Sequence, residues 1–580
     1  MADSPTIRLD AFGGGSFASS WRFGGYVKTV VATRIHEVVT ILAQTEQAAA
    51  DGLYAVGFVA YEAASALNPD LPSTPPLEGL PLAWFALFRE RHSVAAGEGL
   101  CASPAEVSLE ARKSLAEYAG EIERIHDYIA AGDCYQVNHT FTLQGTFSGN
   151  LHDVYARIGT AQQAPFCAYL DIGRFTILSA SPELFFSLKD GTITTRPMKG
   201  TVQRGRWAGE DRAAIRQLRN SPKERAENLM IVDLLRNDLG IVAETGSVNV
   251  ASLFEVETYP TVHQMTSTIS AQLRPGITLT GIFRALFPCG SVTGAPKRRS
   301  MEIIAELENA PRGVYCGAIG CVAPGGEAFF SVAIRTLLHD SHSNTVTMGV
   351  GSAVTWDSKA SLEYAECLSK GSFIKRRDDD VRLIESLRLE NGAYTLLDQH
   401  ITRLADSAEY FGFYCDRDKV RQALSDHAAQ TPGLCKVRLL LSADATLAIS
   451  SEPLPESSAL LRIGLSSIKV ESTDIMRYHK TTRRESLDTA RTSRPDCDDV
   501  LLRNEHGQLT EGSYHNLVVK LEGRLVTPPL TCGLLPGLLR QELLEQGIIV
   551  ESILYPADLK RVEDLWLINS VRGWRRGVIV

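Results

Sequence analysis

The sequence predicts an α/β protein built from two unequal units. In the first part of the chain, strand-like runs such as 54–61 alternate with amphipathic helical runs such as 114–131. A charge run at 375–380 is followed at once by a fresh strand-like run. Such a run is also typical of an ordinary solvated surface, but the sequence texture changes across it. We therefore expect a large domain at 1–374, a linker at 375–380 and a smaller α/β domain at 381–580.

Composition places the chain among ordinary globular proteins. Hydrophobic residues make up 44% and charged residues 22% of the 580 residues, which argues against disorder. The net charge of −9 disfavours broad binding of nucleic acid or of a membrane surface. No apolar run reaches the roughly 18 residues of a membrane helix, and no signal peptide is recognised. The 11 cysteines form no C-x-x-C pair. We therefore expect reduced thiols, no membrane span and a cytoplasmic location.

The first candidate site combines an acid with a lysine. Glu183 follows a Ser-Pro turn at the head of an apolar strand, and Lys199 lies in a Pro…Gly turn with apolar flanks. A lysine in a partly apolar pocket loses some of its charged form, and its neutral amine is a nucleophile. A carboxylic acid nearby can protonate a leaving hydroxyl. Taken separately, each residue is more typical of an exposed surface position.

Two pairs of glutamates form the next candidate. Glu224 and Glu227 are three residues apart on a predicted helix, and Glu363 and Glu366 repeat this spacing. Glu224 also completes a capping box with Ser221, which is a purely structural role. Two such pairs that meet across a cleft would suit Mg²⁺, which prefers carboxylate and water oxygens.

Five longer motifs resemble those of the chorismate-utilising enzymes, a family that includes anthranilate, isochorismate and aminodeoxychorismate synthases. In the family's order they are YIAAGDCYQVN at 128–138, ENLMIVDLLRND at 227–238, PCGSVTGAPK at 288–297, RGVYCG at 312–317 and AIRT at 333–336. The resemblance spans about residues 110–375 and implies a large β-sandwich with helices.

The residue at position 199 distinguishes members of this family. Anthranilate synthases typically carry Ala there, whereas aminodeoxychorismate synthases carry Lys, as this chain does. The resemblance implies that Lys199 attacks C2 of chorismate while Glu183 protonates the leaving 4-hydroxyl. Ammonia then attacks C4 and expels the lysine, which gives 4-amino-4-deoxychorismate. Because no glutaminase unit is recognised in the chain, we expect the ammonia to come from a separate glutamine amidotransferase or from solution.

The same resemblance implies further site residues. It makes Glu227 and Glu366 direct Mg²⁺ ligands, with Glu224 and Glu363 reached through water. The residues implied to bind or line the substrate pocket are Thr201, Tyr315, Arg335, Gly349, Gly351 and Lys370. One departure from the family pattern lies next to this set, where Ser352 and Ala353 interrupt a Gly-rich run.

The second part of the chain resembles the class IV aminotransferases, a family that includes aminodeoxychorismate lyase. The matching motifs lie at 397–404, 478–485, 509–516, 527–540 and 569–573. The resemblance implies a fold-type IV pyridoxal-phosphate enzyme in which Lys480 forms the Schiff base and Glu511 pairs with the pyridinium nitrogen. Arg403 would contact the phosphate, and the backbone N–H groups of Leu538 and Leu539 would bind it at a helix start.

Together the two resemblances imply a bifunctional route to 4-aminobenzoate for folate synthesis, in which the second step eliminates pyruvate. The second domain starts abruptly at Val381, without the usual first strands of its family. We expect either that contacts with the first domain replace those strands or that the lyase is weak. A homodimer through this domain is a further expectation. Two alternatives stay open: an anthranilate-synthase-like domain joined to a D-amino-acid-transaminase-like one, and a chorismate-binding regulator without activity.

Overall fold

The computed structural model describes residues 4–13, 19–100, 105–375, 381–455 and 459–580. The chain forms two units, one of Met1–Gln203 with Ile215–Asp378 and one of Arg204–Ala214 with Asp379–Val580. Most of the predicted linker lies outside the described residues, so this boundary stays a prediction. Among the described residues, no helix combines the length and the apolar composition that crossing a bilayer requires.

Within the described residues, the first unit contains eighteen strands, eight complete helices and the C-terminal part of a ninth, α5, from Ile215 onward. The strands are β1 (Ile7–Asp10), β2 (Ser20–Ala32), β3 (Tyr54–Val59), β4 (Ala83–Val94), β5 (Glu106–Ala111), β6 (Gln136–Ser148), β7 (Phe166–Asp171), β8 (Phe175–Ser181), β9 (Leu184–Lys189), β10 (Thr192–Arg196), β11 (Met198–Gln203), β12 (Asn249–Thr258), β13 (Val262–Gln272), β14 (Gly294–Ala295), β15 (Ala318–Val322), β16 (Ala328–Val332), β17 (Thr336–Asp340) and β18 (Thr345–Val354). The helices are α1 (Val38–Ala50), α2 (Ala64–Leu67), α3 (Leu115–Ala130), α4 (Leu151–Gln162), α5 (Ala208–Asn220), α6 (Pro222–Gly240), α7 (Leu279–Leu286), α8 (Lys297–Leu307) and α9 (Ala360–Gly371).

The strands of this unit pair antiparallel in one long path that folds back on itself. Its order is β5-β6-β18-β17-β8-β7-β1-β2-β4-β3-β15-β16-β9-β10-β13, with β11 and β12 also on β13. Leu170 and Ile177 from one half of the path share a core with Phe58 and Trp84 from the other half. This shared core makes the unit a β-sandwich.

Helices cover both outer faces of the sandwich. Helices α1, α6 and α7 pack on the face that includes β3 and β4, and α3, α4, α8 and α9 pack on the face that includes β6 and β18. Strand β3 is therefore buried on both sides, which explains why its sequence is a nearly continuous apolar run. The predicted β-sandwich with helices is confirmed.

Local capping signals set where two of the helices begin. Ser114 and Glu117 form a reciprocal capping box at the start of α3. The Ser221 hydroxyl accepts the backbone N–H of Glu224, and Pro222 takes the first position of α6. This second cap fixes the start of α6, whose first two turns carry Glu224 and Glu227.

The second unit combines a small sheet with a larger one. Its strands are β19 (Leu383–Glu390), β20 (Ala393–Tyr394), β21 (Cys435–Leu441), β22 (Leu447–Pro453), β23 (Leu461–Val470), β24 (Asp499–Asn504), β25 (Leu509–Gly512), β26 (Asn516–Leu521), β27 (Arg524–Thr527), β28 (Val550–Glu551), β29 (Asp564–Asn569) and β30 (Gly573–Ile579). The helices are α10 (Leu397–Phe411), α11 (Arg417–Gln430), α12 (Glu485–Thr492) and α13 (Leu538–Glu545). The sheet orders are β20-β19-β21-β22 and β25-β24-β23-β30-β29-β26-β27-β28. This mixed α/β arrangement confirms the fold class predicted for the second part.

A buried ion pair connects distant parts of the first unit. Arg312 donates to Glu308 from Nε at 2.8 Å and from Nη2 at 2.7 Å. Its other bonds run from Nη1 to the carbonyl of Val292 and from Nη2 to that of Asn138, both at 2.8 Å. Glu308 in turn accepts the backbone N–H of Thr140 at 2.8 Å. The pair thus joins β6, the loop after α7 and the end of α8 in a region with little water.

Arg312→Leu should destabilise the first unit by about 3–5 kcal/mol, because it leaves the Glu308 carboxylate buried without its cation. Thermal unfolding followed by calorimetry measures this loss. Arg298→Leu is the matched control, since Arg298 is 62% exposed in its pairs with Asp70 and Glu302 and should matter by less than about 1 kcal/mol. The double variant Arg312→Leu/Glu308→Leu should recover part of the loss. Equal unfolding temperatures for both single variants would contradict this account.

Candidate active sites

A cavity of about 180 Å³ lies in the first unit where β11, β18, α6 and α9 meet. It gathers all of the residues that the sequence analysis named for the first site. These are Glu183, Lys199, Thr201, Glu224, Glu227, Tyr315, Arg335, Gly349, Gly351, Glu363, Glu366 and Lys370. Residues that are far apart in the sequence thus line one space, and their individual roles stay predictions.

Glu183 lies in the turn between β8 and β9 and is 3% exposed. Ser181 fixes this turn, because its hydroxyl donates to the carbonyl of Val332 at 2.6 Å and accepts the backbone N–H of Glu183 at 3.2 Å. Burial raises the pKa of Glu183 to about 7, although Ser291 and the Lys199 ammonium act in the opposite direction. Among the described residues, Oε1 of Glu183 has no hydrogen-bond partner. The carboxyl is therefore available as a proton donor near neutral pH.

Lys199 is the second residue of β11 and points into the same cavity. Burial lowers the pKa of its amine, as does the nearby Lys370 ammonium, while Glu227 and Glu183 favour the charged form. The side-chain amide of Asn228 on α6 donates to the Lys199 carbonyl at 3.1 Å and holds the strand in place. A neutral lysine amine beside a protonated acid is the pair that a nucleophilic substitution requires.

The residue after Lys199 has to be glycine. Gly200 has φ +94, and a Cβ there would lie 3.1 Å from Oε2 of Glu224 and 3.2 Å from Cβ of Met265. A register shift between Met198 and Thr201 marks the same place in the pairing of β11 with β13. This bulge turns the strand where Lys199 meets the cavity.

The four glutamates face the cavity from the first two turns of α6 and from α9. Burial raises the pKa of Glu227 and of Glu224, and the neighbouring carboxylates add to this rise. Glu366 differs: burial acts to raise its pKa, but the Lys370 ammonium at 2.7 Å, together with the ammonium groups of Lys199 and Lys223, lowers it. Ionised carboxylates in this cluster repel one another. A bound cation or protonation relieves this repulsion.

The donor chemistry of these glutamates suits Mg²⁺, which takes carboxylate oxygens and usually keeps several waters and substrate oxygens. Within the described part of the chain, no three His, Cys, Asp or Glu side chains come close enough to form a ready metal cluster. The fit to Mg²⁺ therefore rests on the carboxylate chemistry of the four glutamates that line the cavity.

Strand β18 and the segment before β15 form another wall. A Cβ at Gly349 would lie 2.1 Å from Cδ1 of Tyr315, so the tyrosine ring requires glycine at this position. Ser352 does not disturb the strand, because its hydroxyl lies 2.9 Å from that of Tyr118 on the opposite face. The pairing of β18 with β6 is continuous through Ser352 and Ala353. The departure from the family pattern at these two residues thus leaves a regular strand.

Two cations that the sequence analysis assigned to substrate carboxylates differ in their surroundings. Burial lowers the pKa of Arg335 to about 10, and its guanidinium contacts the side chain of Gln162. Arg335 also has φ +51, a left-handed backbone that is uncommon outside glycine. Lys370 is already bonded to Glu366 and donates to the carbonyl of Gly351 at 2.9 Å. Arg335 is therefore the better candidate for a bidentate grip on a carboxylate.

Sequence reasoning missed several residues that line this cavity. They are Asn138, Pro182, Met198, Lys223, Gln264, Ser291, Val292, Ile334, Met348, Val350 and Ala353. Asn138 and Ser291 lie inside motifs that had been identified, so the motifs were a sufficient signal for them. Lys223 and Gln264 lie outside the motifs used to place the site, and only the fold brings them there.

A second cavity, of about 150 Å³, lies in the second unit. Lys480, Glu511, Arg403 and Leu538 all line it, and their individual roles stay predictions. Leu539 does not line it, because its side chain packs against the apolar cluster around α13. The prediction for Leu539 concerned its backbone N–H, which belongs to the first turn of α13.

Lys480 lies beside a buried charged group. Burial lowers its pKa to about 7, the Arg403 guanidinium adds to this, and Glu385 opposes it. Glu385 accepts from Arg403 at 2.7 and 2.9 Å, and its Oε2 lies 2.6 Å from Nδ1 of His400. Arg403 also donates to the carbonyl of Pro536 at 3.2 Å, next to the start of α13. A cation and a helix N-terminus therefore lie together, as phosphate binding requires.

Glu511 is 6% exposed, and burial raises its pKa to about 7 against the pull of Arg477. It accepts from Nη2 of Arg477 at 2.8 Å, a partner that the sequence did not reveal. Asn516 donates to Glu511 at 3.3 Å and to the carbonyl of Leu535 at 3.0 Å. These residues fit pyridoxal phosphate, since they offer a buried lysine, a phosphate site and a buried acid for the ring nitrogen.

Glu183 should make the stability of the first unit depend on pH. Because its folded pKa lies near 7 and the ordinary value is 4.5, the unfolded state loses this proton first, and stability falls between pH 4.5 and 7. Glu183→Gln should therefore gain on the order of 3 kcal/mol over the wild type at pH 8 and nothing at pH 4. Urea unfolding at both pH values measures the difference. Glu123→Gln, at an exposed position of α3, is the control; the same difference at both pH values for Glu183→Gln would refute the argument.

Each of the two main parts of the chain matches a known protein family. Residues 15–376 match the chorismate binding enzyme family, and residues 382–578 match the amino-transferase class IV family. Aminodeoxychorismate synthase component 1 of Klebsiella aerogenes is 43% identical over 260 residues, which cover 45% of this chain and 57% of that protein. Anthranilate synthase component 1 of Aquifex aeolicus is 37% identical over 260 residues, covering 45% and 52%.

A solved structure gives the same result for the fold of the first unit. Anthranilate synthase component I from Streptococcus pneumoniae has a TM-score of 0.55 and 26% identity, and the match covers 63% of this chain and 93% of that one. The chain spans a little over half the length of the curated relatives that it matches. The profile match to residues 15–376 covers more than half of the 580 residues. The chain therefore belongs to the chorismate binding enzyme family and carries a class IV aminotransferase domain in the same polypeptide.

Proposed function

We propose that this chain converts chorismate and ammonia to 4-aminobenzoate in two steps, one at each cavity. The observation that carries the proposal is the pairing of Glu183 with Lys199 in a single cavity. A buried acid with a raised pKa and a lysine with a lowered pKa suit a substitution in which an amine enters and water leaves. The similarity to aminodeoxychorismate synthases supports the same reading.

In the first step, the neutral amine of Lys199 attacks C2 of chorismate. Glu183 donates its proton to the 4-hydroxyl, which leaves as water, and the ring double bonds shift. Ammonia then attacks C4, the bond between C2 and Lys199 breaks, and 4-amino-4-deoxychorismate is formed. Arg335 binds one of the two carboxylates of the substrate. Glu227 and Glu366, with Glu224 and Glu363 behind water, would hold Mg²⁺, which supplies positive charge for a substrate carboxylate.

The ammonia is proposed to come from a separate glutamine amidotransferase. The name of the Klebsiella relative, component 1, supports a multi-component enzyme. Free ammonium at high concentration should replace this partner, because ammonia and not glutamine is the nucleophile at C4. The activity of the chain can therefore be assayed without the amidotransferase.

In the second step, the amino acid made in the first cavity loses pyruvate and becomes aromatic. Pyridoxal phosphate, when bound, supplies an electron sink for the carbanion at C4. Lys480 would hold the cofactor, with Glu511 at its ring nitrogen and Arg403 and the start of α13 at its phosphate. Once its amine is free of the cofactor, Lys480 would take the proton from C4 as the bond to the enolpyruvyl oxygen breaks, and the lysine ammonium would return a proton to the departing enol. Its pKa near 7 suits both proton transfers.

The products separate this proposal from an anthranilate-forming first site, which the similarity to anthranilate synthases supports. Purified chain is incubated with chorismate, ammonium, Mg²⁺ and pyridoxal phosphate, and the products are resolved by liquid chromatography. We expect 4-aminobenzoate and pyruvate. Anthranilate would overturn the first step, aminodeoxychorismate alone would overturn the second, and no turnover would favour a regulator.

Lys199→Ala should abolish the consumption of chorismate with ammonium, because no amine remains to activate C2. Glu183→Gln should slow the same step by about 10²–10⁴-fold, since the amide cannot donate a proton. Lys189→Ala is the control, because the Lys189 side chain is 74% exposed on β9. Initial rates of chorismate loss provide the measurement. Turnover by Lys199→Ala at the wild-type rate would rule out covalent catalysis by this lysine.

A further inference from the structure

The segment Arg204–Ala214 is part of the second unit, although the stretches on both sides of it in the sequence belong to the first unit. It follows β11 directly and includes the first residues of α5. No motif in the sequence analysis pointed to it, and the proposed function does not use it. Its neighbours in the second unit lie immediately before Lys480.

Internal ion pairs give this segment a defined shape. Arg204 binds Asp211 from Nε at 2.8 Å and from Nη2 at 2.9 Å. Arg206 binds Glu210 from Nε and from Nη2, both at 3.0 Å. A Cβ at Gly205 would lie 2.1 Å from the backbone nitrogen of Asp211, so the turn closes only around glycine. These contacts within the segment therefore help to define its shape.

Arg206 and Trp207 hold Tyr478, which lies two residues before Lys480. Nη1 of Arg206 donates to the Tyr478 hydroxyl at 3.1 Å and to the carbonyl of Ser472 at 3.2 Å. The Tyr478 hydroxyl itself donates to the Ser472 carbonyl at 2.7 Å. The Trp207 ring lies on the Tyr478 ring with centroids 5.1 Å apart. Tyr478 is only 1% exposed, so its ring is closely packed on all sides. Arg206 and Trp207 form part of this packing.

The residue between them, His479, is held through Arg204. Its ring lies 4.4 Å from that of Tyr410, and its Nδ1 lies 3.0 Å from the Ser407 hydroxyl. The Arg204 guanidinium lies 4.1 Å above the Tyr410 ring and donates to the Tyr410 carbonyl at 3.3 Å. Burial lowers the pKa of His479 to about 4, so its imidazole is neutral at physiological pH.

Lys480 is fixed on its other side by β19. Its carbonyl accepts the backbone N–H of Ile384 at 2.8 Å, and Thr481 forms an isolated bridge with Leu383. Between β23 and α12 the chain has no other regular element than a short 3₁₀ turn at Ile475–Arg477. The position of the lysine therefore depends on what holds the residues before and after it.

We propose that Arg206 and Trp207 are positioning residues for Lys480, so that a segment from the first half of the sequence completes the second active site. They act through Tyr478 and touch neither substrate nor cofactor. A displacement of about 1 Å at a catalytic group costs about 10²-fold in rate, so loss of this support should slow the second step selectively. The inference rests on the proposed role of Lys480. The experiment distinguishes failure of the inference from failure of that proposed role.

The test compares Arg206→Met with Arg212→Met in the full-length chain. Met keeps most of the Arg206 stem but removes its donors, and Arg212 lies on the same segment with its side chain 58% exposed. Three readouts are measured: the dissociation constant for pyridoxal phosphate, the pH midpoint of the absorbance band of the bound cofactor, and the rate of pyruvate release from aminodeoxychorismate. Chorismate consumption with ammonium is followed in parallel.

Arg206→Met should shift the pH midpoint by more than about half a unit and slow pyruvate release by about 10–100-fold. Chorismate consumption should stay within twofold of the wild type, and Arg212→Met should match the wild type throughout. Tyr478→Phe removes only the hydroxyl that Arg206 bonds and should shift the midpoint in the same direction, which keeps the test valid if Arg206→Met folds poorly. An unchanged midpoint and rate in both variants would overturn the inference. Wild-type chain that binds no pyridoxal phosphate would instead overturn the proposed role of Lys480.

Discussion

The guanidinium of Arg312 joins three stretches of chain that each supply a wall of the first cavity. It bonds the carbonyls of Asn138 and Val292, both of which belong to residues that line the cavity, and it lies three residues before Tyr315. Glu308 completes the arrangement by holding the backbone of β6. Replacing a buried ion pair by apolar residues often costs little stability, so its value here is positional. The backbone N–H of Asn138 also donates to the carbonyl of Thr293 at 2.8 Å, so the guanidinium reinforces a junction that backbone hydrogen bonds share.

The two cavities use the same electrostatic principle with different residues. Each contains a carboxyl whose pKa burial raises to about 7, Glu183 in the first and Glu511 in the second. Each also contains a lysine whose pKa burial lowers, Lys199 and Lys480. Burial disfavours the charged form of both kinds of group, so it raises the pKa of an acid, lowers that of an amine and narrows the difference between them. Burying these carboxyls and lysines costs stability locally, but it also favours the protonation states that the proposed reactions require.

The five motifs contain only Glu227, Tyr315 and Arg335 of the residues predicted for the first site, and the order of these motifs identifies the family through which most of the others were assigned. Ser221 and Pro222 also fixed the start of α6 by local rules alone. The pairing of Glu366 with Lys370 follows from i,i+4 spacing, although the sequence analysis assigned Lys370 to the substrate. The Arg477–Glu511 contact and the place of Arg206 beside Tyr478 had no local signal. Both join residues that are distant in sequence, and only the tertiary fold determines which charges meet.

The central claim is that one chain performs two steps and that each step depends on its own lysine. The most direct measurement mixes two inactive variants, Lys199→Ala and Lys480→Ala, with chorismate, ammonium, Mg²⁺ and pyridoxal phosphate. Neither variant alone should form 4-aminobenzoate, whereas the mixture should, because Lys480→Ala releases an intermediate that Lys199→Ala can use. Formation of 4-aminobenzoate by either variant alone, or its absence from the mixture, would contradict the account.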